Sequence, residues 1–209
     1  RWLDDLAAVG DAAARSKAQG WLWEWIGRYG NGKGPGWTPD LTGRRLIRWI
    51  NHALLLLNGA DRAQSDAYYR SLSGQVVWLW RRGDHAAAGL PRFEALTGLI
   101  YAGLALTGME ERVVPAVAAL AEDCAHEIDA MGGIPTRNPE ELLEVFTLLT
   151  WAEQALAEAG HSLPPALVEA LERIAPCLRA LRHSDGSLAR FHGGGRGAEG
   201  RLDQALAVT

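Results

Sequence analysis

Apolar residues recur every three or four positions along almost the whole chain, which is the spacing of amphipathic α-helices. The pattern predicts seven helices, near residues 2–29, 42–57, 65–82, 91–106, 110–130, 139–159 and 165–182. Strand-like alternation is almost absent. Residues 186–192 are a candidate short strand, and residues 192–200 are expected to form a loop. The sequence therefore predicts an all-α fold.

Helix-capping and helix-breaking residues support several of these predicted helix boundaries. The glycine-rich segment 30–36 cannot continue a helix, and Thr42 is a candidate N-cap for the second helix. Asn138 is expected to cap the sixth helix, with Pro139 at its first position. Glu141 stands three residues after Asn138, the spacing of a capping box. As an acid in the first turn, it also complements the helix dipole.

The helices are expected to pack in two layers. Residues 54–57 and 99–106 are apolar on nearly every side, so other helices must cover them. No exact repeat of a helical solenoid is present. We therefore predict antiparallel helical hairpins forming an incomplete α/α toroid over residues 1–192. Residues 193–209 are expected to be a glycine-rich loop leading to a further C-terminal part, with the toroid truncated at both ends.

The composition of the chain limits the kinds of partner that it is expected to bind. The net charge of −4 gives no general attraction to nucleic acid or to an anionic membrane. No apolar run approaches the roughly 20 residues of a membrane span. Cys124 and Cys177 lack metal-ligand spacing and are expected to be small buried hydrophobes, with a disulfide, thiol site or ligand role as alternatives. We expect no metal and no cofactor; the compartment, periplasmic or cytoplasmic, stays open.

Three arginines at the start of the second helix are the main candidate for binding chemistry. Arg44, Arg45 and Arg48 crowd an end where the helix dipole disfavours cations. Arg45, Arg48 and His52 share one face, with Trp49 beside them. This face could be a groove wall that grips an acidic sugar. Alternatively the arginines form internal salt bridges, because 25 acidic residues outnumber 21 basic ones.

Four further positions have two interpretations each. Asn51 and His52 form a polar pair inside an apolar helix, either as a site or as a core contact with satisfied hydrogen bonds. Arg137 precedes a helix N-terminus, where it could bind an anion or anchor the loop. Glu94 could belong to a site or could simply complement the dipole of its helix.

Three segments, in order, resemble motifs of the heparinase II/III-like polysaccharide lyases. Residues 36–49 resemble the pattern W-x-P-(x5)-R-(x3)-W, residues 92–103 resemble N-N-H-L-L-E-N-A-K-A-L-(x2)-A-G, and residues 132–141 resemble D-G-G-(x3)-R-S-P-x-Y. The first pattern is filled by Trp37, Pro39, Arg45 and Trp49.

This resemblance implies β-elimination on a uronate polysaccharide, with the helical toroid completed by a C-terminal β-sandwich. An Asn or His would neutralise the substrate carboxylate, and a Tyr would act as base and acid. The expected partners are an acidic polysaccharide and the β-sandwich. Glu94 and His52 are the catalytic candidates. The candidate substrate-binding residues are Arg45, Arg48, Trp49, Asn51, His52, Arg137 and Asn138.

The catalytic positions of the family are not matched. Leu90 and Pro91 stand where the Asn and His are expected, and Glu141 stands in place of the Tyr. We therefore expect this chain alone to be inactive as a lyase. The alternative is a non-catalytic acidic-glycan-binding or envelope polysaccharide assembly protein. An α/α-barrel glycosidase is a third possibility, with Glu94 and Glu141 as the carboxylate pair.

Overall fold

The computed structural model describes residues 2–195 and 200–207, and over these residues the chain is all-α, without a strand. This confirms the predicted fold class. Short 3₁₀ turns lie at Gly83–His85 and Glu110–Arg112. The helices are α1 (Trp2–Val9), α2 (Ala12–Tyr29), α3 (Pro39–Asn51), α4 (Ala53–Leu57), α5 (Arg62–Arg82), α6 (Leu90–Ala105), α7 (Val113–Glu127), α8 (Pro139–Glu158), α9 (Pro165–Ala180) and α10 (Arg201–Leu206).

Helix α6 forms the centre of the fold. It packs against α3, α5, α7 and α8, while α9 packs against both α7 and α8. Most of α6 is buried, including Phe93 and Ile100, as expected for a helix that is apolar on nearly every side. The packing of consecutive helices fits helical hairpins, and the toroid stays a prediction.

Two glycines bring α3 and α6 into backbone contact. A Cβ atom at Gly98 would lie 2.5 Å from the Cα atom of Gly43, and a Cβ atom at Gly43 would overlap the carbonyl group of Glu94. Only glycine allows so close an approach. The crossing fixes the position of the arginines of α3 relative to the start of α6.

The predicted first helix, residues 2–29, is interrupted. Gly10 has φ +71°, and Asp11 begins a new helix by accepting a hydrogen bond from the Ala14 N–H at 2.7 Å. The periodic pattern missed this break because apolar residues continue in register on both sides of it.

The predicted second helix, residues 42–57, also differs. It begins at Pro39, so Thr42 lies inside it and is buried, and the N-cap position is Thr38. The helix is broken at His52, whose backbone (φ −104°, ψ 20°) leaves the helical region. The Leu-rich run 54–57 concealed this break.

The C-terminal predictions need two corrections. The candidate strand 186–192 is not formed; Arg182 and Leu188 make an isolated bridge around a turn closed by Asp185, too short for a ladder. The segment 193–209 is not simply a loop, because α10 forms and buries Leu202 against the core. Residues 196–199 and 208–209 lie outside the described part.

Three further features concern the two cysteines, the character of the helices and the arrangement of potential metal ligands. Cys124 is buried and Cys177 is half-buried, both as free thiols, and burial raises the pKa of Cys124 to about 12. None of the described helices combines the length and apolar character that a bilayer crossing requires. No group of three or more His, Cys, Asp or Glu side chains in residues 2–195 and 200–207 is arranged to hold a metal ion.

Candidate functional site

A cleft of about 990 Å³ opens on one side of the described chain. Helices α1, α2 and α3 line one part of it, the first turns of α8 line another, and Leu90 at the start of α6 also contributes. The lining mixes aromatic and charged side chains. The aromatic residues are Trp2, Trp21, Trp25, Tyr29 and Trp49, the cations are Arg28, Arg44, Arg45 and Arg48, and the acids are Glu24, Glu140, Glu141 and Glu144.

The guanidinium of Arg45 lies against two tryptophan rings. It lies 4.0 Å from the ring centroid of Trp25 and 5.2 Å from that of Trp37. Its Nε donates to the side-chain oxygen of Gln75 at 2.7 Å, and its Nη1 donates to the Gly36 carbonyl at 2.9 Å. Burial lowers the pKa of Arg45 to about 9. Much of its donor capacity is thus used within the protein.

The indole of Trp25 also contacts other rings. Its centroid lies 5.7 Å from that of Trp37 and 5.3 Å from that of Trp49, and Trp37 in turn lies 5.2 Å from Trp78. Ring contacts at these distances stabilise a core beyond their buried area. The wall of the cleft behind Arg45 is therefore a continuous aromatic cluster.

Arg48 and His52 both bind Asp4 of α1. Arg48 Nε donates to one carboxylate oxygen at 3.0 Å, and His52 Nε2 lies 2.9 Å from the other. Partial burial acts to raise the pKa of Asp4, but the bond to His52 and the charge of Arg48 outweigh it and lower the pKa below its ordinary value. This cluster ties α1, with its cleft residue Trp2, to the end of α3.

Arg44 pairs with a buried carboxylate. Its Nε donates to one oxygen of Glu94, whose side chain is only 3% exposed, while the other oxygen has no hydrogen-bond partner among the described residues. Burial raises the pKa of Glu94 to about 7 even though Arg44 opposes the shift. Asp40 and Glu144 raise it further. Glu94 does not line the cleft, so its visible role is to hold Arg44.

The acidic side of the cleft is built by the N-terminus of α8. Asn138 caps this helix by accepting hydrogen bonds from the N–H groups of Glu140 and Glu141 at 3.0 and 3.3 Å, which confirms the predicted N-cap. The Glu140 carboxylate accepts the Gly195 N–H at 2.7 Å. These contacts hold the first turn of α8 in place and present carboxylates to the cleft.

The cleft brings together four of the seven candidate binding residues. The other three do not line it: Asn51 is exposed, His52 binds Asp4, and Arg137 is exposed in a loop with φ +53°. Although Asn51 is exposed, its side chain hydrogen-bonds to that of Tyr101 on α6, so its polar group has a partner within the protein. Those that line the cleft are Arg45, Arg48, Trp49 and Asn138, together with Leu90 and Glu141 of the motif positions.

Sequence reasoning missed the apolar rim. Trp2, Trp21 and Leu41 line the cleft and remain 43%, 42% and 39% exposed. The exposure of these rings could not be predicted, because helical spacing gives no measure of how much of a ring a neighbouring helix covers. The rings of Trp2 and Trp21 form an edge-to-face pair at 5.1 Å.

Comparison with known proteins gives a relative of a different kind from the expected lyases. FtsZ-localized protein C from Caulobacter vibrioides (strain NA1000 / CB15N) is 31% identical to this chain over 214 residues. The match takes in 99% of this chain and 35% of that protein, so the chain spans about a third of the length of its relative. No family model matches the chain, and no solved structure matches it.

These findings correct the expected family. The resemblance to heparinase II/III-like lyases is wrong, and so are the lyase function, the glycan-binding alternative and the acidic polysaccharide partner. The motif residues have structural tasks that many helical proteins share. Pro39 and Pro139 open helices, Asn138 is an N-cap, and Gly132 adopts φ +77° against the Arg173 carbonyl. Short patterns built on such residues therefore matched without a common function.

Proposed function

We propose that this chain is a helical interaction module of a protein that localises with FtsZ during cell division, and that the cleft is its partner-binding surface. The observation that carries the proposal is the match to FtsZ-localized protein C, which extends over 99% of this chain. A match of that extent relates the whole module to the relative and not only a short motif.

The geometry of the cleft supports an interaction role. Large exposed apolar side chains grouped around one concavity are typical of protein contact sites, and Trp2, Trp21 and Leu41 form such a group. Tryptophan and arginine are also the residues that most often dominate binding energy at interfaces. The arginines of α3 are fixed by internal hydrogen bonds, so this surface is formed before a partner arrives.

Domain organisation forms part of the same proposal. Residues 1–192 would supply most of the helical module, and residues 193–209, whose helix α10 packs against the same core, would lead to a further part of the protein. The contact of Gly195 with Glu140 then lies where the two meet, at the edge of the cleft.

Localisation in cells tests the proposal. The full-length protein containing this chain would be fused to a fluorescent protein and imaged with labelled FtsZ in the organism that encodes it. We expect both labels to coincide at the division site, and the Trp21→Ala variant to lose much of this coincidence. Leu54→Ala is the matched control, since Leu54 is 91% exposed but lies outside the cleft. A diffuse wild-type signal in cells with intact FtsZ structures would refute the proposal.

A further inference from the structure

We infer that the cleft accepts a protein segment in which an apolar anchor residue stands beside a lysine or arginine. The inference rests on the proposed function and adds the chemistry of the partner. It differs from one of the two interpretations drawn from the sequence, in which the arginines grip an acidic sugar.

The apolar anchor follows from the rim of the cleft. Trp2 and Trp21 expose nearly half of their surfaces there, and Leu41 is similarly exposed. Covering these side chains removes apolar area from water, which is the main favourable contribution at the centre of an interface. A leucine-sized or aromatic side chain of the partner can make that contact.

The charge preference follows from the ion pairs that the arginines make within the chain. Three of the four lining cations are paired with carboxylates of this chain, so an acidic ligand gains less binding free energy from contacting them. Arg45 is held by hydrogen bonds to neutral groups and by tryptophan rings. The ion pairs are Arg28 with Glu24, Arg44 with Glu94 and Arg48 with Asp4.

The lining charges balance in number, because four guanidinium groups and four carboxylates line the cleft. Three of those guanidinium groups are already paired with carboxylates. The lining carboxylate of Glu141 is therefore the group that attracts a basic segment and repels an acidic one.

Glu141 offers the clearest contact for the basic residue. It lies in the first turn of α8, is half-buried and lines the cleft. In residues 2–195 and 200–207 no group hydrogen-bonds or ion-pairs with its carboxylate. A lysine or arginine of the partner can donate a charge-assisted hydrogen bond to it without displacing an internal partner.

Peptides of designed charge test the preference directly. Three fluorescein-labelled 12-residue peptides would share a central tryptophan, flanked by lysines, by serines or by glutamates. Anisotropy titrations with the full-length protein should give tightest binding for the lysine peptide, about tenfold tighter than for the glutamate peptide at low salt. The difference should shrink as salt screens the charges. Equal binding of the three, or tighter binding of the glutamate peptide, would overturn the inference.

Matched variants locate the contact. Glu141→Gln should weaken the lysine peptide about three- to tenfold and leave the serine peptide unchanged. Glu158→Gln, at the exposed far end of the same helix, should change neither. Circular dichroism confirms that each variant is folded. An effect of Glu158→Gln equal to that of Glu141→Gln would remove the assignment to Glu141.

Purified FtsZ separates this inference from the proposed function. If wild-type protein and Glu141→Lys bind FtsZ equally well, the charge preference is wrong and the FtsZ association stands. If wild-type protein does not bind FtsZ but still prefers the lysine peptide, the association is wrong and the chemistry of the cleft stands. We expect wild-type binding to FtsZ and a loss of at least about fivefold for Glu141→Lys.

Discussion

Gly98 of α6 lies so close to Gly43 of α3 that a side-chain carbon on Gly98 would come within 2.5 Å of the Gly43 Cα atom. The two helices cross through their backbones at this point. The contact sets the depth at which α3 lies on the central helix, and hence the position of the arginines that line the cleft.

Substituting Gly98 by alanine should destabilise the protein by about 2 kcal/mol or more, because the added methyl group has no space against rigid backbone. Urea unfolding measures the change. Gly20→Ala is the control, since no atom lies within 4 Å of the added carbon and the helix interior of α2 favours alanine. It should stabilise by up to about 1 kcal/mol. A Gly98→Ala protein as stable as the wild type would show that α3 and α6 can separate freely.

Glu94→Gln should alter the pH dependence of stability. Folding raises the pKa of Glu94 from 4.5 to about 7, so the folded protein favours the protonated side chain. The resulting stabilisation of the folded state is complete below pH 4.5 and is lost as pH rises to about 7. The full effect is on the order of 3 kcal/mol. Between pH 5 and pH 8 the wild type should lose more stability than Glu94→Gln in thermal melts. Parallel curves would mean that Glu94 is ionised throughout.

Asp4→Asn should loosen α1. Asp4 holds Arg48 and His52, and its lowered pKa means that this stabilisation is present above the unfolded pKa, near 3.8, and is lost as pH falls below it. A partly exposed pair contributes up to about 1 kcal/mol, so local opening should increase without global unfolding. Faster hydrogen exchange in Trp2–Val9 reports it. Asp5→Asn, exposed in the same turn, should leave exchange unchanged.

Arg45→Lys should destabilise by about 2 kcal/mol despite the conserved charge, because lysine cannot reproduce the planar contact with Trp25 and the fork of hydrogen bonds to Gln75 and Gly36. Chemical unfolding followed by tryptophan fluorescence measures the loss. Arg70→Lys on the exposed surface of α5 should be neutral within about 0.5 kcal/mol. Equal stability of both variants would mean that Arg45 is not held as described.

Local sequence signals predicted local structure well. Helical periodicity identified the all-α fold, and Asn138 with Pro139 marked the start of α8 correctly. The breaks at Gly10 and His52 were missed because the apolar pattern continues through both. Periodicity measures which face is apolar, and it is insensitive to a single residue that leaves the helical region.

The candidate site was harder to predict because its contacts are distant in sequence. Arg48 meets Asp4 across 44 residues and Arg44 meets Glu94 across 50, and no local spacing reveals such pairs. The arginine cluster was recognised, but whether its charge is offered to a ligand or neutralised within the protein depends on those pairings. The same limitation made short motifs appear to indicate a lyase.

The row of indoles behind Arg45 gives the molecule an optical property of its own. Trp25 lies between 5 and 6 Å from both Trp37 and Trp49, and Trp37 is as close to Trp78. Electronic transitions of rings this close mix, so they should produce exciton bands in the near-ultraviolet circular dichroism. Excitation absorbed by one ring would also migrate to the others before emission. The state of the cleft wall can therefore be followed spectroscopically without attaching a dye.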